Sequence, residues 1–549
     1  MHFPELFETL LKQRGIIPEE KGNFLSPDYE KLHDFMLLPD MVRARDRVIK
    51  AIKNNEHIVV FSDYDADGIP GAVVLSDFFI RTKYENISFY IPHRHNEGFG
   101  LNLEAIEECS RRGAKLIITI DCGISDIKEV ASANAKGIDV IITDHHKPQT
   151  IMPKAYAVVN PNREDSIYPF KELCGSAVVF KLVQAIVAKE SFGVKAGMEK
   201  WSLDMVAIAT LSDMVPLVGE NRILARFGLD VLRKSPRPGL LSLFKKLNLD
   251  QRNLSEDDVT FMITPRINAA SRMGVPLDAF KLLSTRDQSE AERLVLHLEK
   301  INNERKGVVA SLVKDAKSHL AKREEVADVI VIGNPEWRPA LLGLVANSLV
   351  EEYCRPVFVW GRDGDGVLKG SCRSYNSYDL FALMDATSNA FIEFGGHAGA
   401  GGFSVTLENL TNLEEKLSLS LEALAKGDQI ESIERDGSLS ISVSDIGENL
   451  WGMVSQFAPF GMGNEKPIFR IPQAEIKSVK KFGKENNHLE VTFNNGNKDI
   501  KAISFFSSPD SYLFALTPGL RINLLAHLEK SYFRNYPELR LRIVDIIKS

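Results

Sequence analysis

Three β-branched runs in the first 150 residues, IVVFSDYDADG (58–68), LIITIDCG (116–123) and VIITDHH (140–146), each end in carboxylates or imidazoles. Between them lie the run ISFYI (87–91) and the helical stretches GAVVLSDFFIRT, LNLEAIEECSRRG and ISDIKEVASANAKG. That alternation of strand and helix predicts βαβ units and a mostly parallel sheet. Parallel strands deliver their carboxyl ends to one edge, and open α/β sheets bind ligands there. Asp63, Asp65, Asp67, Asp121, Asp144, His145 and His146 are therefore expected to converge although dozens of residues separate them. Asp213, after LDMVAIATLS and before Pro216, is a further contributor.

Taken singly, a strand-end aspartate is an ordinary cap of the following helix, and DxDxDG alone could be a calcium loop, but the Glu at position 12 is absent. Taken jointly, the carboxylates repel one another and cost stability unless cations neutralise them. Oxygen donors with one or two imidazoles and no thiolate suit Mn²⁺ or Mg²⁺, and this many acids can hold two ions ~3.5–4 Å apart, an arrangement that hydrolyses phosphate esters.

The chain has 549 residues, enough for several domains. Residues 1–45 form a lead-in segment, and 46–286 carry the acidic strands followed by a mainly helical stretch. Residues 287–325 contain no proline and place Leu294, Leu298, Ile301, Val308 and Leu312 at helical spacing, which predicts one long connecting helix, or a hairpin broken near Gly307. A second, smaller α/β domain is expected over 326–434, and the strand-rich stretch 435–549 fits a compact β-barrel.

The formal net charge of −7 excludes a global attraction to polyanions, so any nucleic-acid site must be local. Residues 471–549 carry 12 Lys and Arg against 8 Asp and Glu, a net +4. There Lys477, Lys480, Lys481 and Lys484 surround Phe482, and Tyr532, Phe533, Arg534 and Tyr536 form a second interleaved group, a combination that tracks phosphates and stacks bases. The five cysteines show no CxxC pattern and fit a reducing, cytoplasmic setting. The N-terminus lacks the form of a signal peptide and no run reaches ~18 apolar residues, so neither export nor a membrane span is expected.

DYDADG (63–68), IDCG (120–123), DHH (144–146) and SDMVPL (212–217) resemble, in order and spacing, the four motifs of the DHH phosphoesterase superfamily, and GGHAGAGGF (395–403) is similar to the signature of its associated DHHA1 domain. With a barrel behind them, the layout of nearly the whole chain resembles the single-strand-specific exonucleases of that superfamily. The resemblance implies an α/β fold: a DHH domain with a mostly parallel sheet, a long connecting helix, a smaller α/β DHHA1 domain and a C-terminal OB-like barrel. It implies Asp65, Asp67, Asp121, His145 and Asp213 as metal ligands for two Mn²⁺ or Mg²⁺ ions, with Asp121 bridging. Asp63, Asp144 and His146 complete the catalytic centre, Asp144 as the acceptor that orients an imidazole.

RINAASRMG (266–274) resembles the family stretch RINAAGRM and implies Asn268 and Arg272 as phosphate contacts, with Ser271 in place of a glycine. Some relatives carry a metal-binding histidine where this chain has Phe61. In the second domain Ser371, Arg373 and His397, with Gly395 and Gly396 as bare backbone, are the substrate contacts; Gly401 stands where alanine is commoner. The implied activity is 5′ to 3′ exonucleolytic hydrolysis of single-stranded DNA in repair and recombination, with a single-strand-binding protein and a helicase as candidate partners. Walker-type, GxSxG and CxxC patterns are missing, so ATP-driven unwinding, serine hydrolysis and thiol redox chemistry have no basis in the sequence. Two alternatives are a phosphodiesterase for cyclic dinucleotides or short oligonucleotides, to which an extended barrel adds nothing, and a noncatalytic nucleic-acid-binding replication factor, which would not need every ligand position filled.

Overall fold

The computed structural model describes residues 3–94, 97–364, 366–375, 378–427, 439–483, 486–496, 498–507, 509, 512, 514–532 and 537–548. The first domain is built on β1 (Ile58–Ser62), β2 (Ile87–Tyr90), β3 (Leu116–Ile120), β4 (Asp139–Thr143) and β5 (Ala157–Val159), all parallel, in the order β2-β1-β3-β4-β5. β1 and β3 are buried along their whole length, which is why they read as unbroken apolar runs rather than alternating ones. Strand order reverses between β1 and β3, and the crevice at such a switch point is where doubly wound sheets bind ligands. The ladder continues past the strands: Asp63 N donates to Ile120 O at 3.0 Å, Asp121 N to Thr143 O at 2.9 Å and Asp144 N to Val159 O at 3.2 Å. Backbone pairing thus fixes the spacing of the three acidic strand ends.

Helices Gly68–Thr82, Gly175–Lys189 and Leu203–Ser212 bury their apolar sides in one continuous core on one face of this sheet, and helices Leu103–Arg111 and Ile127–Ala135 cover the other. A Cβ at Gly71 would lie 2.7 Å from Ile120 Cγ2, so only glycine lets the first of these helices sit against β3.

The connector is a single helix, Gln288–Leu320, of 33 residues, or ~50 Å at 1.5 Å per residue. Asp287 caps it by accepting from Glu290 N at 2.6 Å. Its first half buries Leu294, Val295, Leu298 and Ile301 in the first domain and its last turns bury Ala316 and Leu320 in the second, so the helix does not break at Gly307.

The second domain has β6 (Ile330–Gly333), β7 (Val357–Arg362), β8 (Leu368–Arg373), β9 (Glu393–His397) and β10 (Ala400–Val405) in the order β6-β7-β8-β10-β9, with only β6 and β7 parallel. The third contains β11 (Leu439–Ser440), β12 (Phe469–Phe482), β13 (His488–Asn494), β14 (Asp499–Ser504), β15 (Arg521–Ser531) and β16 (Glu538–Lys548), closed into a barrel by the β12–β15 pairing.

The lead-in segment is divided between two cores. Leu6, Leu10, Leu11 and Phe24 are buried with the barrel, whereas Leu38, Met41 and Ala44 are buried with the first domain. Among the described residues no helix is long and apolar enough to cross a membrane.

Candidate active site

The turn out of β1 is possible because residue 68 is glycine: a Cβ there would stand 2.5 Å from Asp63 O. Within the turn, Asp65 Oδ1 accepts from Asp67 N at 2.8 Å and Gly68 N at 3.1 Å. Asp67 reaches across to helix Gly175–Lys189, where its two oxygens accept from Gly175 N at 2.6 Å and Ser176 N at 2.7 Å. Those N–H groups belong to the first helical turn, which has no partners of its own within the helix and favours negative charge. Asp121 follows β3 with φ +59°, and its carboxylate lies so close to Gly175 that a Cβ there would come within 2.7 Å of Asp121 Cβ.

β4 supplies the imidazoles. His145 Nε2 lies 3.2 Å from Asp121 Oδ1, 3.6 Å from Asp213 Oδ2 and 3.8 Å from Asp67 Oδ2. Asp144 is fully buried; its Oδ1 accepts from His145 N at 2.7 Å, His146 N at 3.0 Å and the His146 ring at 2.8 Å, and its Oδ2 accepts from Ile124 N at 3.1 Å. With both oxygens engaged, Asp144 holds the His146 ring by a hydrogen bond to Nδ1. Asn160 and Asn162 hold the carbonyls of His146 and His145 at 2.9 Å and 2.6 Å.

Three overlapping sets of donors lie within 4.8 Å of one another: Asp63, Asp65 and Asp121; Asp67, His145 and Asp213; and Asp121, His145 and His146. Burial and then the charges of the neighbouring carboxylates push Asp63 and Asp121 well above the ordinary aspartate range. Asp213 is pushed up to about 9 by burial and by Asp67 and Asp65. Burial lowers His145, whereas at His146 the opposing bond to Asp144 prevails and raises it to about 9. Asp63 Oδ1 and Asp121 Oδ1 are buried with no hydrogen-bond partner. Orphaned buried oxygens in a self-repelling cluster of oxygen and nitrogen donors fit hard divalent cations, with Asp121 common to two of the three sets.

A second group of expected site residues is assembled across the domain boundary. Asn268 Oδ1 accepts from Ala66 N at 2.9 Å, tying helix Thr264–Met273 to the acidic turn. Arg272 on the same helix donates from Nη1 to Ala340 O at 2.6 Å, in the first turn of helix Pro339–Tyr353 of the second domain. One turn further on, a Cβ at Gly343 would meet Arg373 Nη2 at 2.7 Å and Ser371 Oγ at 3.2 Å. Arg272, Ser371 and Arg373 thus gather at one helix N-terminus.

His397 is not brought into that group. It pairs with Ala400, which pairs with Arg373, so two strand spacings put it about 10 Å away on the exposed edge strand. Gly402 pairs with Ser371 and Gly395 with Gly402, so Gly395 too lies two strand spacings from the serine, and a Cβ on it would meet nothing within 4 Å. Gly396, with φ +145°, and Gly401 have packing reasons: a Cβ at 396 would meet Ala400 O at 2.4 Å, and one at 401 would meet Met384 Cε at 2.7 Å.

Sequence reasoning missed Arg94, Phe99 and Arg305. Arg94 stacks 4.9 Å over Tyr64 and acts on the charge of Asp63; Phe99 packs edge-on against the His146 ring at 5.8 Å. Both lie in the loop after β2, which the strand-end rule would have flagged had that short strand carried an acid. Arg305 sits mid-way along the connecting helix with Nε buried and unbonded. Burial and the charges of Arg94, Arg305 and Arg373 lower Arg272 to about 9, so four guanidinium groups concentrate positive charge beside the acidic cluster, as an anion site requires. Phe61 is fully buried and stacks on Tyr90 at 5.2 Å, so no imidazole enters from β1. Ser271 turns its hydroxyl back to Asn268 O at 3.1 Å and stays out of the cleft.

On the barrel, Phe482 joins His488 and Phe505 in a ring cluster with Arg542 4.1 Å over Phe505, and Lys477 pairs with Asp499 at 2.8 Å. Lys484, Phe533, Arg534 and Tyr536 lie outside the described residues.

Comparison with known proteins agrees with this layout. The DHH family N-terminal domain matches residues 57–210, the DHHA1 domain 326–423 and the RecJ OB domain 438–545. The single-stranded-DNA-specific exonuclease RecJ of Bacillus subtilis is 33% identical over 99% of this chain and 68% of its own length. That of Salmonella typhimurium is 31% identical over 99% of this chain and 96% of its own. The crystal structure of RecJ in complex with Mn²⁺ from Thermus thermophilus superposes with a TM-score of 0.78 at 25% identity, covering 99% of this chain and 76% of that one. A structure of exonuclease RecJ bound to manganese gives a TM-score of 0.58 at 30% identity, covering 70% of this chain and 95% of that one. The chain belongs to the RecJ family of single-stranded-DNA-specific exonucleases.

Proposed function

We propose that this chain removes nucleotides from single-stranded DNA in the 5′ to 3′ direction, using two Mn²⁺ or Mg²⁺ ions. The observation that carries the reading is the juxtaposition of the self-repelling acid and imidazole cluster with the guanidinium groups of Arg94, Arg272 and Arg373: Arg94 acts on Asp63, and Asp65 on Arg272. Bound in the cluster, divalent cations supply a hydroxide-like nucleophile at neutral pH and offset charge on the phosphoryl oxygens.

The protein's own groups do the rest. Asp65, Asp67, Asp121, His145 and Asp213 hold the ions, and Asp63 belongs with them because its Oδ1 is buried, unbonded and grouped with Asp65 and Asp121. Asp144 fixes the His146 ring by accepting from its Nδ1. Arg272, Ser371 and Arg373 take a strand phosphate at the mouth between the domains, Asn268 keeps the helix bearing Arg272 against the acidic turn, and Gly395, Gly396 and His397 border the path farther out.

In this reading the chain divides into a catalytic domain (46–286), a connecting helix (287–325), a substrate-binding domain (326–434) and a nucleic-acid-binding barrel (435–549). A helicase that opens duplex and a single-strand-binding protein that presents the strand are its candidate partners, as for a cytoplasmic enzyme of DNA repair and recombination. The test is digestion of 5′- and 3′-end-labelled single strands and blunt duplexes with Mn²⁺ or Mg²⁺. Mononucleotides released from the 5′ end of single strands are expected; equal digestion of duplex, or release from the 3′ end, overturns the reading.

A further inference from the structure

The segment Phe457–Lys466, at the base of the barrel, packs directly on the loop that follows Asp213. Leu217 N donates to Met462 O at 2.8 Å. A Cβ on Gly461 would stand 2.8 Å from Leu217 Cδ1, and one on Gly463 would stand 3.3 Å from Pro216 Cβ. The two strips of chain are therefore in van der Waals contact along 216–218.

The segment is held rigidly for this contact. Arg222, buried on the first domain, donates to Phe457 O at 2.9 Å, Ala458 O at 3.1 Å and Phe24 O at 2.9 Å, and its guanidinium lies 3.9 Å over the Phe24 ring. Asn464, 1% exposed, donates to Phe457 O at 2.9 Å and Pro459 O at 2.8 Å and accepts from Arg14 Nε at 2.7 Å. Gly461 and Asn464 exchange backbone hydrogen bonds of 3.0 Å. A buried guanidinium and a buried amide thus satisfy the carbonyls of a turn that has no strand to pair with.

The same segment also reaches the other side of Asp213, indirectly. Lys466 pairs with Asp257, immediately before the π-helix Asp258–Ile263. From there Thr260 Oγ1 donates to Leu211 O at 3.4 Å, and the hydroxyls of Thr264 and Ser212 lie 2.5 Å apart. Leu211 and Ser212 precede Asp213 directly, and Pro216 and Leu217 follow it after Met214, whose φ of +59° turns the chain. Asp213 hangs between two short stretches, the downstream one packed on Phe457–Lys466 and the upstream one held by the π-helix whose preceding residue Lys466 pairs with.

We propose that Phe457–Lys466 is a positioning element for Asp213, so that the C-terminal domain completes the metal centre in addition to holding the strand. This rests on the reading of Asp213 as a metal ligand. Displacing a ligand carboxylate by a fraction of an ångström through its supporting groups changes metal affinity about 10–100-fold.

The experiment titrates Mn²⁺ into the full-length, EDTA-stripped protein, following free Mn²⁺ by electron paramagnetic resonance, for wild type, Gly461→Val, Lys466→Met and Asp213→Asn. Gly461→Val, which drives a side chain into Leu217, is expected to weaken one Mn²⁺ equivalent about tenfold. Lys466→Met is expected to shift the same equivalent in the same direction by less, with binding of oligo-dT in EDTA unchanged for both. A wild-type isotherm for folded Gly461→Val beside a weakened Asp213→Asn overturns the proposal while leaving Asp213 a ligand. A wild-type isotherm for Asp213→Asn removes the ligand assignment and the proposal with it. Should Gly461→Val not fold, as read by circular dichroism, Lys466→Met decides alone: an unchanged isotherm overturns the proposal.

Discussion

Asp144 Oδ1 lies 2.8 Å from His146 Nδ1 while also accepting the backbone N–H groups of residues 145 and 146. An acceptor so heavily used is ionised, and burial notwithstanding, the imidazole and those N–H groups hold it below the ordinary aspartate range. The imidazole must therefore donate from Nδ1, which leaves Nε2 as the one nitrogen open to an ion or to substrate. Asp144→Asn should weaken Mn²⁺ binding about 10–100-fold with little change in melting temperature. A metal titration of the purified variant that matches wild type would show that Asp144 does not set the tautomer.

Asp67 and Asp121 are both expected to be indispensable for hydrolysis, yet their alanine variants should differ in stability. Asp67 satisfies Gly175 N and Ser176 N, so Asp67→Ala orphans two buried donors at about 1–3 kcal/mol each. Asp121 Oδ1 is buried without a partner, and Asp121→Ala relieves repulsion. In EDTA, thermal melts should place Asp67→Ala below wild type and Asp121→Ala at or above it. The reverse order would contradict these assignments.

The pH dependence of the metal-free protein follows from Asp213, raised from 3.8 to about 9 by burial and neighbouring carboxylates. A group whose folded pKa lies above its unfolded one contributes stability below the unfolded value and loses it as pH climbs toward the folded value. Asp213→Asn cannot ionise, so in EDTA it should melt above wild type near pH 9, and the gap should close toward pH 4. Each kcal/mol regained corresponds to about 2–4 °C for a domain of this size. A gap independent of pH would refute the link.

Arg373 sits beside Ser371 and Gly343, and burial lowers it below the usual guanidinium range. Arg373→Met should raise KM for long strands with a smaller loss in kcat. It should also reduce the slope of log K against log salt by about 0.7, the share of one phosphate contact on a single strand. An unchanged slope would remove Arg373 from the strand path.

Arg237 is buried between Asp77 and Asp204, with Nε 2.7 Å from Asp204 Oδ2. Arg286, immediately ahead of the residue that caps the connecting helix, also reaches Asp77 at 2.6 Å. Arg237→Met removes the cation paired with buried Asp204 and leaves Asp77 with Arg286 alone, and should cost about 3–5 kcal/mol, read by urea unfolding. A cost under about 1 kcal/mol would mean that the carboxylates find other partners or protonate.

The strand-end acids were legible in the sequence because parallel strands have fixed polarity: a run such as LIITID can place its aspartate at only one edge of the sheet. The long connector was legible for a similar local reason, helical spacing without a proline, although Gly307 left open a break that continuous packing on both domains prevents. The groups around Arg272 were only half legible. Arg94, Phe99 and Arg305 come from a loop and from mid-helix, where no periodicity marks them, and they join the cleft only through tertiary packing. The same limit applies to Phe457–Lys466: it fell within the stretch expected to form the barrel, and only tertiary packing sets it against the loop after Asp213. Local pattern determined the donor atoms and the edge that collects them. The partners that fix each donor in place lie up to hundreds of residues away along the chain, and no local pattern records a contact made through burial and shape.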